Sequence, residues 1–161
     1  MSFGPDVPVV VAASAPWDTP APVNAHQVAR RLARRGHPVL FVESTGLRAP
    51  SPAAAQDRRR ALRRLERFAR GVREIEPGLA ALAPLALPGA GPPWLRRASL
   101  VLLARQAAWA ARRLGMERPL LWAFLPSAVG LADALRARLT VYHCVDHYAA
   151  NPGVDPDWVD A

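Results

Sequence analysis

Val7–Glu43 reads VPVVVAASAPWDTPAPVNAHQVARRLARRGHPVLFVE, and this stretch decides the fold class. It opens on an apolar run, Val7–Ala13, with no polar alternation, as expected of a strand buried on both faces. The turn-rich segment SAPWDTPAP follows. Ala25, Val28, Ala29, Leu32 and Ala33 then fall on one helical stripe, and Arg30, Arg31, Arg34 and Arg35 fall outside it. Gly36 suits the left-handed position that ends a helix, and Pro38 forbids its continuation. Val39–Glu43 is a second apolar run. Strand, helix and strand at this spacing predict a βαβ unit, the building block of a parallel sheet.

The same alternation continues outward. Residues 44–54 read as a loop, and an arginine-rich helix is predicted over 57–74, with Leu62, Leu65, Phe68 and Val72 on its apolar face. Leu79–Leu87 holds a short strand before the PGAGPP turn. A long helix is predicted from about Pro93 to Leu114, closed by Gly115. Pro119 introduces the apolar LLWAF, Ser127 caps a short helix through Leu135, and Leu139–Val145 is the last strand. Five strands with intervening helices predict a Rossmann-like, doubly wound, mostly parallel α/β sheet. Asp155-Pro156 resembles a helix start, with Trp158-Val159 opening an apolar face. The expectation is therefore a single domain over 1–161, incomplete at its C-terminus.

Bulk properties narrow the function classes. A chain of 161 residues, 51% hydrophobic, has material for one core. Its net charge is +8, which raises the question of nucleic acid. All 21 basic residues are arginine, beside 17 prolines, a pattern that a GC-rich genome produces by codon bias, and no nucleic-acid motif accompanies it. Cys144 is the only cysteine, so neither a disulfide framework nor a cysteine zinc site is expected. No apolar run reaches the ~20 residues of a membrane span, and the N-terminus lacks a basic leader region. A cytoplasmic protein is expected.

In open α/β sheets, ligands bind beyond the carboxyl ends of the strands. The loops that matter are Ser14–Asn24, Ser44–Pro50, Leu125–Ala128 and Asp146–Gly153. The first has no GxGxxG or Walker pattern, which disfavours a dinucleotide or P-loop site. It offers Trp17-Asp18 and, at the mouth of the helix, Asn24 and His26. A tryptophan beside a carboxylate can stack on a sugar's C–H face and accept its hydroxyl protons. The other reading has Trp17 plugging the domain edge and Asp18 capping a turn. At the last strand, Tyr142, His143, Asp146, His147 and Tyr148 lie close together. Alternation sends Tyr142 and Cys144 to one face, His143 and Val145 to the other. Asp146 then sits at the carboxyl edge, as a base, as a residue that orients a hydroxyl, or merely as a turn cap. Asp146 and His147, two nearby ligands without a third, are weak evidence for a metal site.

Taken in order, PWD (16–18), NAHQVARRLARRGHPVLFVES (24–44), PLALP (84–88), PLLWAFLP (119–126) and LTVYHCVDHYAANPG (139–153) resemble the N-terminal domain of bacterial GT-B glycosyltransferases. The group resembled is associated with cell-surface polysaccharides, including teichuronic-acid-type proteins. Two departures stand out. His143 and His147 occupy positions that carry acids in the group's terminal motif, leaving Asp146 in place. Val23-Asn24 replaces an arginine usual before the helix.

The resemblance implies an N-terminal acceptor-binding portion of a hexosyltransferase-type enzyme, inactive without its donor-binding domain. A nucleotide-sugar would serve as co-substrate, with no separate cofactor and no obligatory metal. It points to Asp146 as the catalytic carboxylate. Trp17, Asp18, Asn24, His26, Ser127 and His147 become candidates for acceptor or substrate contact. The partners implied are a glycan or lipid-linked acceptor and the nucleotide-sugar, not nucleic acid. Glu66 and Glu74 match an E-x7-E spacing found in donor domains, but their arginine-rich surroundings assign them to pairing with arginines such as Arg63 and Arg70. The eight arginines of 57–74 suit either contact with an anionic membrane or a solvated face. The competing class is a non-catalytic Rossmann-like module that recruits a partner or an anionic surface through this basic helix.

Overall fold

Val9–Ala12 forms β1, Asn24–Arg34 forms α1 and Val39–Val42 forms β2, with β1 and β2 parallel and Val9 opposite Val39. The computed structural model describes residues 6–44, 66, 68–69, 71–85 and 93–145. Val72–Glu76 (β3) and Leu79–Leu82 (β4) follow as a hairpin. The long helix is α2, Pro93–Arg113, leading to β5, Leu120–Ala123. A 3₁₀ segment, Pro126–Gly130, runs into the short α3, Leu131–Leu135, and β6 is Leu139–Tyr142.

The six strands form one sheet in the order β3-β4-β2-β1-β5-β6. All neighbours are parallel except β3 and β4. The predicted α/β class is therefore present: a mostly parallel, Rossmann-like sheet flanked by helices. Chain order reverses at β1, which pairs with β2 on one side and β5 on the other.

Each central strand is apolar throughout because both its faces are covered. On one face Val9, Val11, Val39, Phe41, Leu79 and Ala81 pack with Ala25 and Ala29 of α1. On the other, Val10, Ala12, Leu40, Val42, Leu82 and Leu121 pack with Ala107, Ala108, Ala110 and Ala111 of α2 and Leu131 and Leu135 of α3. The alanines bring α2 close to the sheet. Gln106 clamps it further, its amide oxygen accepting the Leu85 N–H at 2.8 Å and its amide nitrogen donating to the Leu85 carbonyl at 2.9 Å.

The helix ends follow the expected chemistry. Gly36 and Gly115 have φ of 88° and 69°, and their N–H groups close onto the Ala33 and Arg112 carbonyls.

Two expectations are overturned. The arginine-rich helix does not extend to residue 74: Glu66, Phe68 and Ala69 are helical, but Val72–Glu76 is a strand. Gly71, at φ 62°, separates the two. VREIE then pairs antiparallel with β4 through the Pro77-Gly78 turn, in which Gly78 has φ 78°. Glu74 therefore lies on an edge strand, not in the helix where its pairing was expected. Alternation and a Pro-Gly turn favour a hairpin, and pairing with β4 wins over the helical period. The second correction concerns Ser127. The residue preceding the 3₁₀ segment is Leu125, with no side-chain cap, and Ser127 lies inside the segment's first turn. Pro126, with its fixed φ, starts the turn instead.

Candidate functional site

The backbone ladder runs one residue past the carboxyl end of four parallel strands and brings the next residue of each into line. Glu43 N–H donates to the Leu82 carbonyl, Ala13 to Val42, Phe124 to Ala12 and His143 to Ala123, at 2.8–2.9 Å. The sheet edge thus carries, in spatial order, Glu43, Ala13, Phe124 and His143. The reversal of strand order lies between Ala13 and Phe124, the position at which open α/β sheets bind ligands. Two strand-end loops with described residues flank it: Ser14–Asn24 and Leu125–Ala128.

Beyond β6, His143 is held from several sides. Its Nδ1 accepts the Trp122 indole N–H at 3.3 Å, and its ring lies 4.7 Å from the Phe124 ring at 31°. Accepting at Nδ1 places the ring hydrogen on Nε2. The alternation expected of this strand is present: Val141 and Val145 pack on the α1 face with Trp122, whereas Tyr142 and Cys144 are exposed.

On the other flank an arginine joins two acids. Arg73 of β3 donates to Asp18 at 2.8 Å and lies 3.4 Å from the buried Glu43. Asp18 is therefore not a free acid in the first loop, since one oxygen is committed to a guanidinium. Neither Glu43 nor Arg73 figured among the sequence candidates. A carboxylate directly after an apolar strand was the available signal for Glu43. Arg73 had none, because it was read as helical. About three strand spacings, roughly 14 Å, separate the Glu43 and His143 ends of the row. They act as two flanks, not as a pair.

The first-loop candidates divide. Trp17 is only 9% exposed, packs edge-on against Phe41 at 4.9 Å and tilts against His26 at 5.1 Å. The Arg30 guanidinium covers its ring at 5.0 Å and also donates to Glu76 at 3.0 Å. With neighbours on its face and edge, Trp17 is a core residue, and the edge-plug reading prevails over the sugar platform. His26 is buried, and both its nitrogens are engaged: Nδ1 accepts the Val23 N–H at 3.2 Å, and Nε2 faces the Pro16 carbonyl at 3.1 Å. A neutral ring protonated at Nε2 satisfies both bonds. His26 thus ties the first loop to the start of α1 and has no nitrogen left for an acceptor. Asn24 is exposed at the first position of α1, and Ser127 is half-buried in the 3₁₀ segment that follows β5. Asp146 and His147 lie outside the described residues.

The described part of the site is therefore the carboxyl edge of the sheet at the strand reversal. His143 with its hydrogen on Nε2 and an acid–arginine–acid cluster stand on its two sides, with Asn24 and Ser127 near its loops. Such an edge can hydrogen-bond a polyhydroxylated ligand.

No protein-family model and no curated protein matches the chain. Among solved structures, a sucrose-phosphate synthase from Thermosynechococcus elongatus is similar, with a TM-score of 0.51 and 15% sequence identity. The match covers 90% of this chain and 37% of that one, so the chain spans little more than a third of the neighbour's length. At this identity the likeness is one of fold: glycosyltransferase-like, Rossmann-type α/β. It does not reach the teichuronic-acid group.

Proposed function

We propose that this chain is the acceptor-side domain of a glycosyltransferase, working with a donor-binding domain that holds the nucleotide-sugar. The observation that carries the reading is the strand reversal between β1 and β5 on a fold similar to that of a glycosyltransferase. The reaction is hexosyl transfer to a glycan or lipid-linked acceptor of the cell envelope. It takes place on the cytoplasmic side and in peripheral contact with an anionic membrane.

In this reading the acceptor sugar lies over the edge formed by Ala13 and Phe124. Asn24 and Ser127 contact its hydroxyls, and His147 is a further candidate contact by its place in the sequence. Asp146, which follows His143 by three residues in the sequence, accepts the proton of the attacking hydroxyl. That oxygen then bonds the anomeric carbon as the nucleoside diphosphate departs. Positive groups for the leaving diphosphate come from the donor domain. The nucleotide-sugar is a co-substrate, and the reading invokes no separate cofactor.

Two measurements test it. Reading the source DNA past the Ala161 codon should reveal an open frame of about a second domain's length with its own βα repeats. A stop codon at that point would favour the free-standing binding module. Titrating monosaccharides into isotope-labelled chain should shift the amide signals of Ala13, Ser127 and His143. Shifts confined to the amino-terminal ends of the strands would refute the acceptor site.

A further inference from the structure

Helix α2 carries on its outer side a stripe that the core does not use. Trp94, Arg97, Val101, Arg105, Trp109 and Arg112 recur at three- and four-residue spacings and are all exposed. They lie opposite the buried alanines, so one straight line of side chains runs the length of the helix. Trp94 is 67% exposed, Val101 50% and Trp109 48%. Apolar side chains this large, on one line and open to solvent, mark a surface that meets something.

The chemistry of the stripe selects the occupant. The 21 residues of α2 include no aspartate or glutamate, so nothing on the helix itself opposes the field of its arginines. Arg113 stands over the Trp109 ring at 5.7 Å, where the indole and the cation share one position. Tryptophans interleaved with arginines suit a bilayer interface: the indole rings sit at headgroup depth, and the guanidinium groups reach the phosphates on apolar stems. The two tryptophans are about 22 Å apart along the axis, which favours a broad, flat contact over a pocket.

At its C-terminal end the stripe meets a cavity of about 570 Å³ between α2 and α3. Arg112, Arg118 and Arg136 line it, with Glu117 as the only acid, above the apolar Met116 and Leu135. Arg118 and Arg136 both hold left-handed backbones, at φ 44° and 49°, a conformation that costs a non-glycine residue on the order of 1 kcal/mol. The concentration of cations therefore extends from the helix face into a recess large enough for a phosphate headgroup.

We propose that the outer face of α2 is the docking surface for an anionic lipid bilayer, with the Arg112, Arg118 and Arg136 recess receiving a lipid phosphate. The assignment rests on the membrane-peripheral part of the function proposed above and moves the contact from the arginine-rich 57–74 segment to α2. It does not depend on sugar transfer.

The test is co-sedimentation of the chain with sucrose-loaded vesicles of phosphatidylcholine alone or mixed equally with phosphatidylglycerol. The wild-type chain is expected to pellet with the mixed vesicles only. Each basic residue near an anionic surface multiplies partitioning roughly fivefold, so the triple variant Arg97→Ala, Arg105→Ala, Arg112→Ala is expected to lose about a hundredfold. Brominated phosphatidylglycerol should quench tryptophan emission in the wild type and much less in Trp94→Ala, Trp109→Ala. Unaltered circular dichroism melts establish that these surface variants fold. The variant Arg59→Glu, Arg63→Glu, Arg67→Glu should still bind. Failure of the wild type to bind the mixed vesicles overturns the proposal. Loss of binding in the Arg59 set but not in the α2 set overturns the α2 assignment while keeping the membrane reading. If the α2 variants bind lipid normally but dissociate a dimer in sedimentation velocity, the occupant is a second copy and the proposal falls. Absence of transferase activity leaves all of these readouts unchanged.

Discussion

Replacing Trp17 with alanine separates the two roles open to that residue. At 9% exposure, the side chain withdraws about 200 Å² from water, since a buried aromatic covers ~150–250 Å². At ~25 cal/mol/Å² this amounts to about 5 kcal/mol. Residual burial in the unfolded chain lowers it by roughly 10–40%. Loss of the Arg30 contact at 5.0 Å adds about 0.5–1 kcal/mol at most, and Arg30 keeps its bond to Glu76. The result, about 3–5 kcal/mol, agrees with large-to-small aromatic replacements in cores. For a domain of this size each kcal/mol corresponds to roughly 2–4 °C in Tm, so Trp17→Ala should melt about 6–20 °C below the wild type. Trp94→Ala, at 67% exposure, supplies the internal comparison and should shift stability by less than about 0.5 kcal/mol. Urea titration followed by far-ultraviolet circular dichroism measures both. A Trp17→Ala midpoint indistinguishable from that of Trp94→Ala would refute the core assignment and restore Trp17 as a ligand platform.

Three further outcomes are expected from the geometry. His26→Phe keeps the ring volume but leaves the Val23 N–H and Pro16 carbonyl without their partner, and should cost about 2–4 kcal/mol in chemical denaturation; an unchanged midpoint would show that water replaces both bonds. Arg73→Met uncouples Asp18 and Glu43, and a double-mutant cycle with Asp18→Asn should give a coupling of about 0.2–1 kcal/mol that shrinks in high salt, because the Asp18 carboxylate is half exposed. A salt-independent coupling would contradict the exposed geometry. Gly78→Ala has room for its methyl group, whose nearest neighbour is the His37 carbonyl at 3.8 Å, but the φ of 78° should still cost about 1–2 kcal/mol. Faster amide exchange in β3 and β4, with β1 and β5 unaffected, is the expected sign.

Much of the fold was legible in the chain because parallel strands covered on both faces are written as unbroken apolar runs. VVVA, VLFV and LLWA need no tertiary information to be recognised, and Gly36, Pro38 and Gly115 mark their helices' ends through φ alone. The edge hairpin was harder. Val72–Glu76 is mostly half-buried and carries three charged residues, and Arg73 continues the arginine-rich composition of the preceding segment, so helical and strand periods both fitted. Pro77-Gly78 was the signal that distinguished them.

For the candidate site the sequence offers an edge of the sheet, not the roles of its side chains. That ligands belong at the carboxyl edge follows from an α/β alternation, and the alternation of His143 with Tyr142 follows from the pleat. Sequence chemistry could not say which polar side chains remain available there. His26 and Trp17 have the composition of a ligand site, yet folding uses them on each other, on Phe41, and on the Pro16 and Val23 backbone. Glu43 and Arg73 are 30 residues apart in the chain and meet only because β3 folds back along β4, next to β2.

The sequence by itself therefore determined the class of the fold and, apart from β3, the order of its elements. Those depend on periodicity and on the φ requirements of individual residues, which are local. Only the tertiary structure decided strand order, the Asp18–Arg73–Glu43 cluster, the ring position of the His143 hydrogen and the exposure of the α2 stripe. Each of these depends on which distant side chain arrives to accept a hydrogen bond, balance a charge or exclude water, and no local pattern encodes that arrival.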